Sequence, residues 1–355
     1  MNFKLLSKAI LASSLFISLV GCKNSNPKFE WTDKKGVFIV NEGIFNHGNG
    51  SLSFYDPSSK AITNNLFELV NNRPLGDIAQ SITEINGKYY IVVNNSGKVE
   101  IVTNSDFTST GVINGLAQPR YMLAIDDHKA YVSQWGSGVD GSLAVIDLIT
   151  NNITKTIPAG AGTEKMVKAG NFVYVTNSGG FGSDSTVAVF NSLADTLVTK
   201  IQVGYNPQAI VLDKNNKLWV LCGGKWKDDY SGFDQPGALV RINPSNNAVE
   251  LTLNFNSLLK TSDRRPLLIN NAKDLLFYTL DGNVYEQSIN STSLSTAAKI
   301  NRDFYNIGLD PETGMFYGSD IRNGTTNGWV IRYNSSYAKV DSFQVGIYPD
   351  EIFFN

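Results

Sequence analysis

The segment Gly141-Ser142-Leu143-Ala144-Val145-Ile146-Asp147 opens on a small residue, places apolar side chains at alternating positions and closes on Asp. A period of two belongs to a half-buried strand. The pattern recurs as Gly50-Ser51-Leu52-Ser53-Phe54-Tyr55-Asp56, as GKVEIVT from Gly97 and as STVAVFN from Ser185. It continues as GALVRIN from Gly237, GNVYEQS from Gly282 and GWVIRYN from Gly328. The seven copies start 44 to 52 residues apart, close to the spacing of propeller blades.

Turn chemistry and a further strand follow most copies, as at Asp56-Pro57-Ser58-Ser59-Lys60 and Asn243-Pro244-Ser245-Asn246-Asn247. A strand rich in aromatic and β-branched residues precedes each, as at Val37-Phe38-Ile39-Val40 and Phe172-Val173-Tyr174-Val175. A fourth element opens each unit. It is clearest at Gly204-Tyr205-Asn206-Pro207-Gln208 and Gly346-Ile347-Tyr348-Pro349-Asp350, where proline suits the first residue of a strand. The first unit, Gly36 to Phe67, lacks this opening strand, and the last segment, Pro349 to Phe354, is an opening strand with nothing after it. The expected fold is therefore all-β: a seven-bladed β-propeller with four antiparallel strands per blade, its ring closed by the C-terminal strand completing the first blade. Such closure removes the free sheet edge between first and last blades.

Ahead of the repeats, Lys4 and Lys8 precede an apolar run, Ala9 to Val20, too short to span a membrane. Its end, Leu19-Val20-Gly21-Cys22, resembles the lipobox of bacterial lipoproteins. That resemblance implies a signal peptide at 1–21, lipidation of Cys22, a tether at 22–34 and a propeller body at 35–355. It places the protein on the outer membrane, held by its lipid anchor alone, with the cell surface as the expected side. The other cysteine, Cys222, follows Leu218-Trp219-Val220-Leu221 and reads as a small buried residue. The net charge of −2 is spread without a basic stripe, which argues against nucleic acid as a partner.

Several stretches match a known family more closely. "VIDLITNNI" and "NPQAIVLDKNNKLWVL", with the Gly-x-x-Pro openings, resemble the YncE-like propeller repeat over nearly all of residues 36–355. "VNEGIFNHGNGSLSFYDP", "RPLGDIAQS" and "YIVVNNSGKVEIV" resemble the lipoprotein branch found in Bacteroidota. That branch includes surface cobalamin-binding lipoproteins that sit on a TonB-dependent cobalamin transporter. The resemblance implies cobalamin or a related corrinoid as bound ligand rather than catalytic cofactor, and a TonB-dependent transporter as partner.

Strand order sorts the connections onto two faces. First-to-second and third-to-fourth turns share one face and are short, as at Asp126-Asp127-His128-Lys129. Second-to-third loops share the other face with the blade openings. These loops carry glycine and large aromatics, and Phe45, Trp135, Phe181, Trp226 and Tyr230 are the candidate ligand-binding residues on them. The openings add Gln80, Arg120, Lys165, Gln208, Tyr305 and Asp350 around the central mouth.

Catalytic and metal chemistry finds little support. His47 and His128 are the only histidines, too few for a zinc site. Asp228-Asp229 and Asp234 lack the spacing of a calcium loop. Asp350 and Glu351 are neighbours on a strand, so they are expected on opposite faces. The leading expectation is capture of a small-molecule nutrient with no enzymatic step. The alternatives are a ferric siderophore held by cations such as Arg120, Lys165, Arg264 and Arg265, a hydrolase or lactonase, and a protein–protein scaffold.

Overall fold

A computed structural model describes Trp31 and residues 35–227, 229, 231–255 and 266–355. Seven four-stranded antiparallel sheets follow one another around a ring. Every one of the seven motif copies forms the third strand of its blade, from Ser51–Asp56 in blade one to Asn327–Tyr333 in blade seven. The inner strands, in blade order one to seven, are Pro349–Phe354, Ala79–Ile85, Pro119–Ala124, Thr163–Ala169, Pro207–Leu212, Leu267–Ile269 and Ile307–Leu309.

Blade one is built from both ends of the chain. Its second strand, Val37–Asn41, pairs on one side with Ser51–Asp56 and on the other with the C-terminal strand, aligning Val37 with Phe354 and Ile39 with Ile352. The Gly36 amide donates to Asn355 Oδ1 at 2.8 Å, so the two ends of the ring meet.

Alternation along each strand sends bulky side chains to both neighbouring blades. Phe38, Phe54, Tyr89 and Phe107 interlock between blades one and two, and Trp31 wedges beside them at the end of the strands where the short turns lie. Burying each large apolar side chain contributes about 1.5–3 kcal/mol. Two of the buried tyrosines also reach polar partners in the next blade, since an unpaired hydroxyl in the core is costly. Tyr131 of blade three donates to Asp195 of blade four, and Tyr174 of blade four donates to Asn247 Oδ1 of blade five at 2.8 Å.

Among the described residues, two additions interrupt the regular ring. A short helix, Leu66–Asn71, connects blades one and two. In blade five the loop after Leu218–Cys222 carries a small hairpin of its own, Lys225–Trp226 with Phe233–Gln235.

Candidate functional site

The site is assembled by a backbone device repeated at the blade openings. Ile78, Gln118, Gly162, Asn206 and Tyr348 each have positive φ, between 51° and 63°, immediately before an inner strand. A left-handed residue turns the chain sharply from the outer edge of one blade to the inner strand of the next. The carbonyl of each such residue accepts the first amide of a loop on the same face. Trp135 N donates to Gln118 O at 3.1 Å, Gly223 N to Asn206 O at 2.8 Å, and Glu42 N to Tyr348 O at 2.9 Å. Openings and loops are thereby locked into one rim.

Just inside this turn the pairing of the inner strand slips. The register shifts between Ala79 and Ser81, Pro119 and Met122, Thr163 and Met166, and Pro207 and Ala209, and again where the C-terminal strand pairs with Ile39 and Asn41. A bulge lets consecutive residues escape strict alternation and re-aims their side chains. Asp350 and Glu351 therefore serve one network, against the expectation from simple alternation. Asp350 accepts from Gln80 Nε2 at 3.3 Å and from Asn306 Nδ2 at 2.8 Å. Glu351 accepts from the Ile82 amide at 2.8 Å and from Lys165 Nζ at 3.3 Å.

Arg120 is the other centre of this network. Its guanidinium donates from Nε to Glu164 Oε1 at 3.1 Å and from Nη1 to Gln80 Oε1, and stacks 4.5 Å from the Trp135 ring centroid. Lys165 Nζ sits 3.8 Å from the Tyr121 ring centroid. Burial alone would lower the Lys165 pKa, but Tyr121, Glu351 and Asp350 outweigh it and hold the ammonium above its usual range. Burial pushes the Glu351 carboxyl up, and Lys165 only partly offsets this.

Above this floor opens a cavity of about 980 Å³. Arg120, Trp135, Lys165, Phe181, Gln208 and Tyr305, six of the residues singled out in the sequence, line it. Gln80 and Asp350 lie buried beneath, as part of the floor network. Phe45 stands on the same rim but outside the cavity wall, 61% exposed. Trp226 lies in the blade-five hairpin. Tyr230, Cys22, Asp228, Arg264 and Arg265 lie outside the described residues.

Phe181 is held by glycine. Its amide donates to Gly138 O at 3.1 Å, and its ring meets Trp135 edge-on, with centroids 5.6 Å apart. Gly180, at φ 56°, brings its Cα so close to Gly138 O that a Cβ would overlap the carbonyl. Two loops thus pack backbone to backbone and present Phe181, 70% exposed, at the lip.

Glu42, Tyr121, Glu164, Tyr205 and Glu351 also line the cavity but were not among the sequence candidates. For Tyr121, Glu164 and Glu351 the signal was available: each adjoins a chosen opening residue, and a bulge admits both neighbours. Each of the charged floor residues Arg120 and Lys165 is matched by a carboxylate, and on the wall Lys225 pairs with Asp234 at 3.4 Å. Among the described residues, no group of three His, Cys, Asp or Glu side chains could hold a metal ion. His128 lies in a turn on the opposite face, and His47 is on the rim with Nδ1 2.9 Å from Phe45 O.

A family model described as a domain of unknown function, DUF5074, matches residues 35–355. No curated protein matches the chain. Among solved structures, a quinonprotein alcohol dehydrogenase-like protein from Bacteroides thetaiotaomicron is 16% identical, with a TM-score of 0.69 over 91% of this chain and 79% of that one. A functionally unknown protein from Desulfotomaculum acetoxidans is 14% identical, with a TM-score of 0.66 over 90% and 99%. The periplasmic gluconolactonase of Pseudomonas aeruginosa is 12% identical, with a TM-score of 0.63 over 90% and 98%. At these identities the likeness is one of fold.

Proposed function

The chain belongs to the DUF5074 family, and from that premise we propose that this member binds a large, overall neutral small-molecule nutrient in the cavity at the propeller mouth. The ligand we favour is a corrinoid such as cobalamin. In this reading Cys22 is lipidated, the protein is anchored at the outer membrane, and the ligand is passed to a TonB-dependent transporter without any chemical step.

The observation that carries the reading is the cavity itself. Its 980 Å³ lies at the upper end of small-molecule sites, which suits a ligand broader than a simple sugar or amino acid. Trp135, Phe181, Tyr205 and Tyr305 supply flat apolar area, and Gln208 and Asn206 supply amide hydrogen bonds. A broad ring rimmed with amides uses both. Arg120, Lys165 and Lys225, three of the four cations that line the cavity with Lys227, are ion-paired with carboxylates, which counts against a highly anionic iron chelate that would favour unpaired cations.

The test is calorimetry of the lipid-free chain, residues 23–355, which keeps Trp31 in the core, with cyanocobalamin. Binding at micromolar concentration with retention of the red chromophore is the expected result. Absence of both removes cobalamin as the ligand.

A further inference from the structure

The ion pair between Lys165 and Glu351 is a chord of the ring. Lys165 lies on the inner strand of blade four and Glu351 on that of blade one, with 3.3 Å between Nζ and Oε1. Blades two and three stand on one side of this chord, and blades five, six and seven on the other.

The two sides differ in chemistry. On the short side the inner strands carry Gln80 and Arg120, both buried, joined to each other and onward to Asp350 and Glu164. Gln80 does not reach the cavity wall, so this side is taken up by the protein's own hydrogen-bonded side chains. On the long side the cavity runs down the inner strands. Blade five lines it with Gln208 at the mouth and then with Ala209, Ile210 and Val211. Blade six adds Leu267 and Leu268, and blade seven adds Ile307. From Gln208 to Val211 is three residues along a strand, about 10 Å of depth. Lys165 and Glu351 are each third in their strand, as Ala209 is in its own, so the wall continues at Ile210 and Val211 past the level of the pair's backbones. Among the described residues, none of these three inner strands places a charged side chain in the cavity wall.

We propose that this off-axis well, walled by the chord and by blades five to seven, is a subsite for an uncharged apolar group about the size of one aromatic ring, the polar remainder of the ligand staying at the mouth. The proposal rests on the reading of the cavity as a small-molecule site. Water against aliphatic walls finds few polar partners, and its displacement by an apolar group gains affinity. A charged group entering the well loses its hydration and finds Lys165 and Glu351 already neutralising each other. The mouth thus accepts amide-rich surface, while the well selects for ligands that carry an apolar arm.

Indole is the probe and benzoate its charged counterpart, each followed by ligand-observed saturation-transfer NMR on the lipid-free chain, residues 23–355. Indole should bind with a dissociation constant of about a millimolar, as suits a ligand of so few atoms, and benzoate about tenfold more weakly or less. Leu268→Asn is close to leucine in volume and makes the wall polar, and it should weaken indole about fivefold or more. Val211→Thr, an isosteric change on the facing blade, gives the same reading if Leu268→Asn fails to fold. Absence of indole binding to the wild-type chain, benzoate binding as well as indole, or indole binding untouched by the substitutions overturns the proposal. Calorimetry with cyanocobalamin on the same samples separates this from the reading beneath it. If indole passes its tests and cyanocobalamin does not bind, the corrinoid falls and the well stands. If cyanocobalamin binds and indole fails, the well falls and the mouth remains the site.

Discussion

Lys165 of blade four reaches Glu351 of blade one at 3.3 Å. Their inner strands stand three blades apart in the ring, so the pair spans the central channel and forms part of the cavity floor. Neither group is exposed enough for water to replace its partner at no cost. Lys165→Met should therefore destabilise the body by about 1–2 kcal/mol at pH 7.5, a figure below the usual range for a fully buried pair because both groups keep some contact with solvent. Removing the ammonium leaves Glu351, already raised by burial, with a still higher pKa. A carboxyl raised above its unfolded value is penalised at neutral pH and relieved as pH falls through the raised value. The cost of Lys165→Met should shrink by pH 5, as read from urea unfolding at the two pH values.

Glu100 offers the opposite sign. Its carboxylate is fully buried, and it accepts from Arg73 at 2.5 Å, from Lys98 at 2.9 Å and from Ser109 Oγ at 2.6 Å. Burial alone would raise this carboxyl, but the three donors prevail and hold it below the usual range. A lowered carboxyl stabilises the fold at pH values above its unfolded value, and that contribution is lost as pH falls through the folded value. Glu100→Gln should cost about 3 kcal/mol at pH 7. The gap between variant and wild type should close as the pH drops below about 4.

If the cavity binds the proposed ligand, Phe181 should separate recognition from stability. Being largely exposed at the lip, it contributes little to the core, so Phe181→Ala should change stability by less than about 0.5 kcal/mol. The same change should weaken binding of cyanocobalamin at least about tenfold. Gly180→Ala should weaken binding comparably, because a Cβ forces the Phe181 loop away from Gly138. Calorimetry paired with thermal melting reads both. A drop in melting temperature as large as the loss in affinity would assign Phe181 to packing instead.

Removal of residues 349–355 strips the inner strand from blade one. Ile352 leaves its core cluster and the Val37–Asn41 strand loses a ladder. The truncated chain should melt roughly 10 °C lower or more, or accumulate as aggregate through its open edge. Circular dichroism and gel filtration decide between these forms of damage, and an unchanged melting curve would remove the closing role of the tail.

The seven-fold repeat was legible because every third strand keeps the same small-to-bulky pattern, and its unpaired first and last elements predicted the closure that Val37 and Phe354 now display. The site was legible only in outline. Alternation allows one inward residue per pair of neighbours, so Arg120 and Lys165 were found while Tyr121 and Glu164 were passed over. The recurrent bulge, which follows from a left-handed turn and a register slip, breaks that rule at the residues that matter. Asp350 and Glu351 were separated in expectation for the same reason. Chemistry distributed over several blades, such as the Arg120–Gln80–Asp350–Asn306 chain, leaves no local spacing to recognise.

The late arrival of the strand at Pro349–Phe354 has a consequence for biogenesis. Synthesis proceeds from the N-terminus, so six blades can complete themselves while Val37–Asn41 still waits with one side bare. The contact that finishes the circle joins residues more than three hundred positions apart, and pairings of such long range form slowly. For that interval the newly made chain presents an adhesive flank, and whatever shields it in the cell must let go only after the final residues have been added.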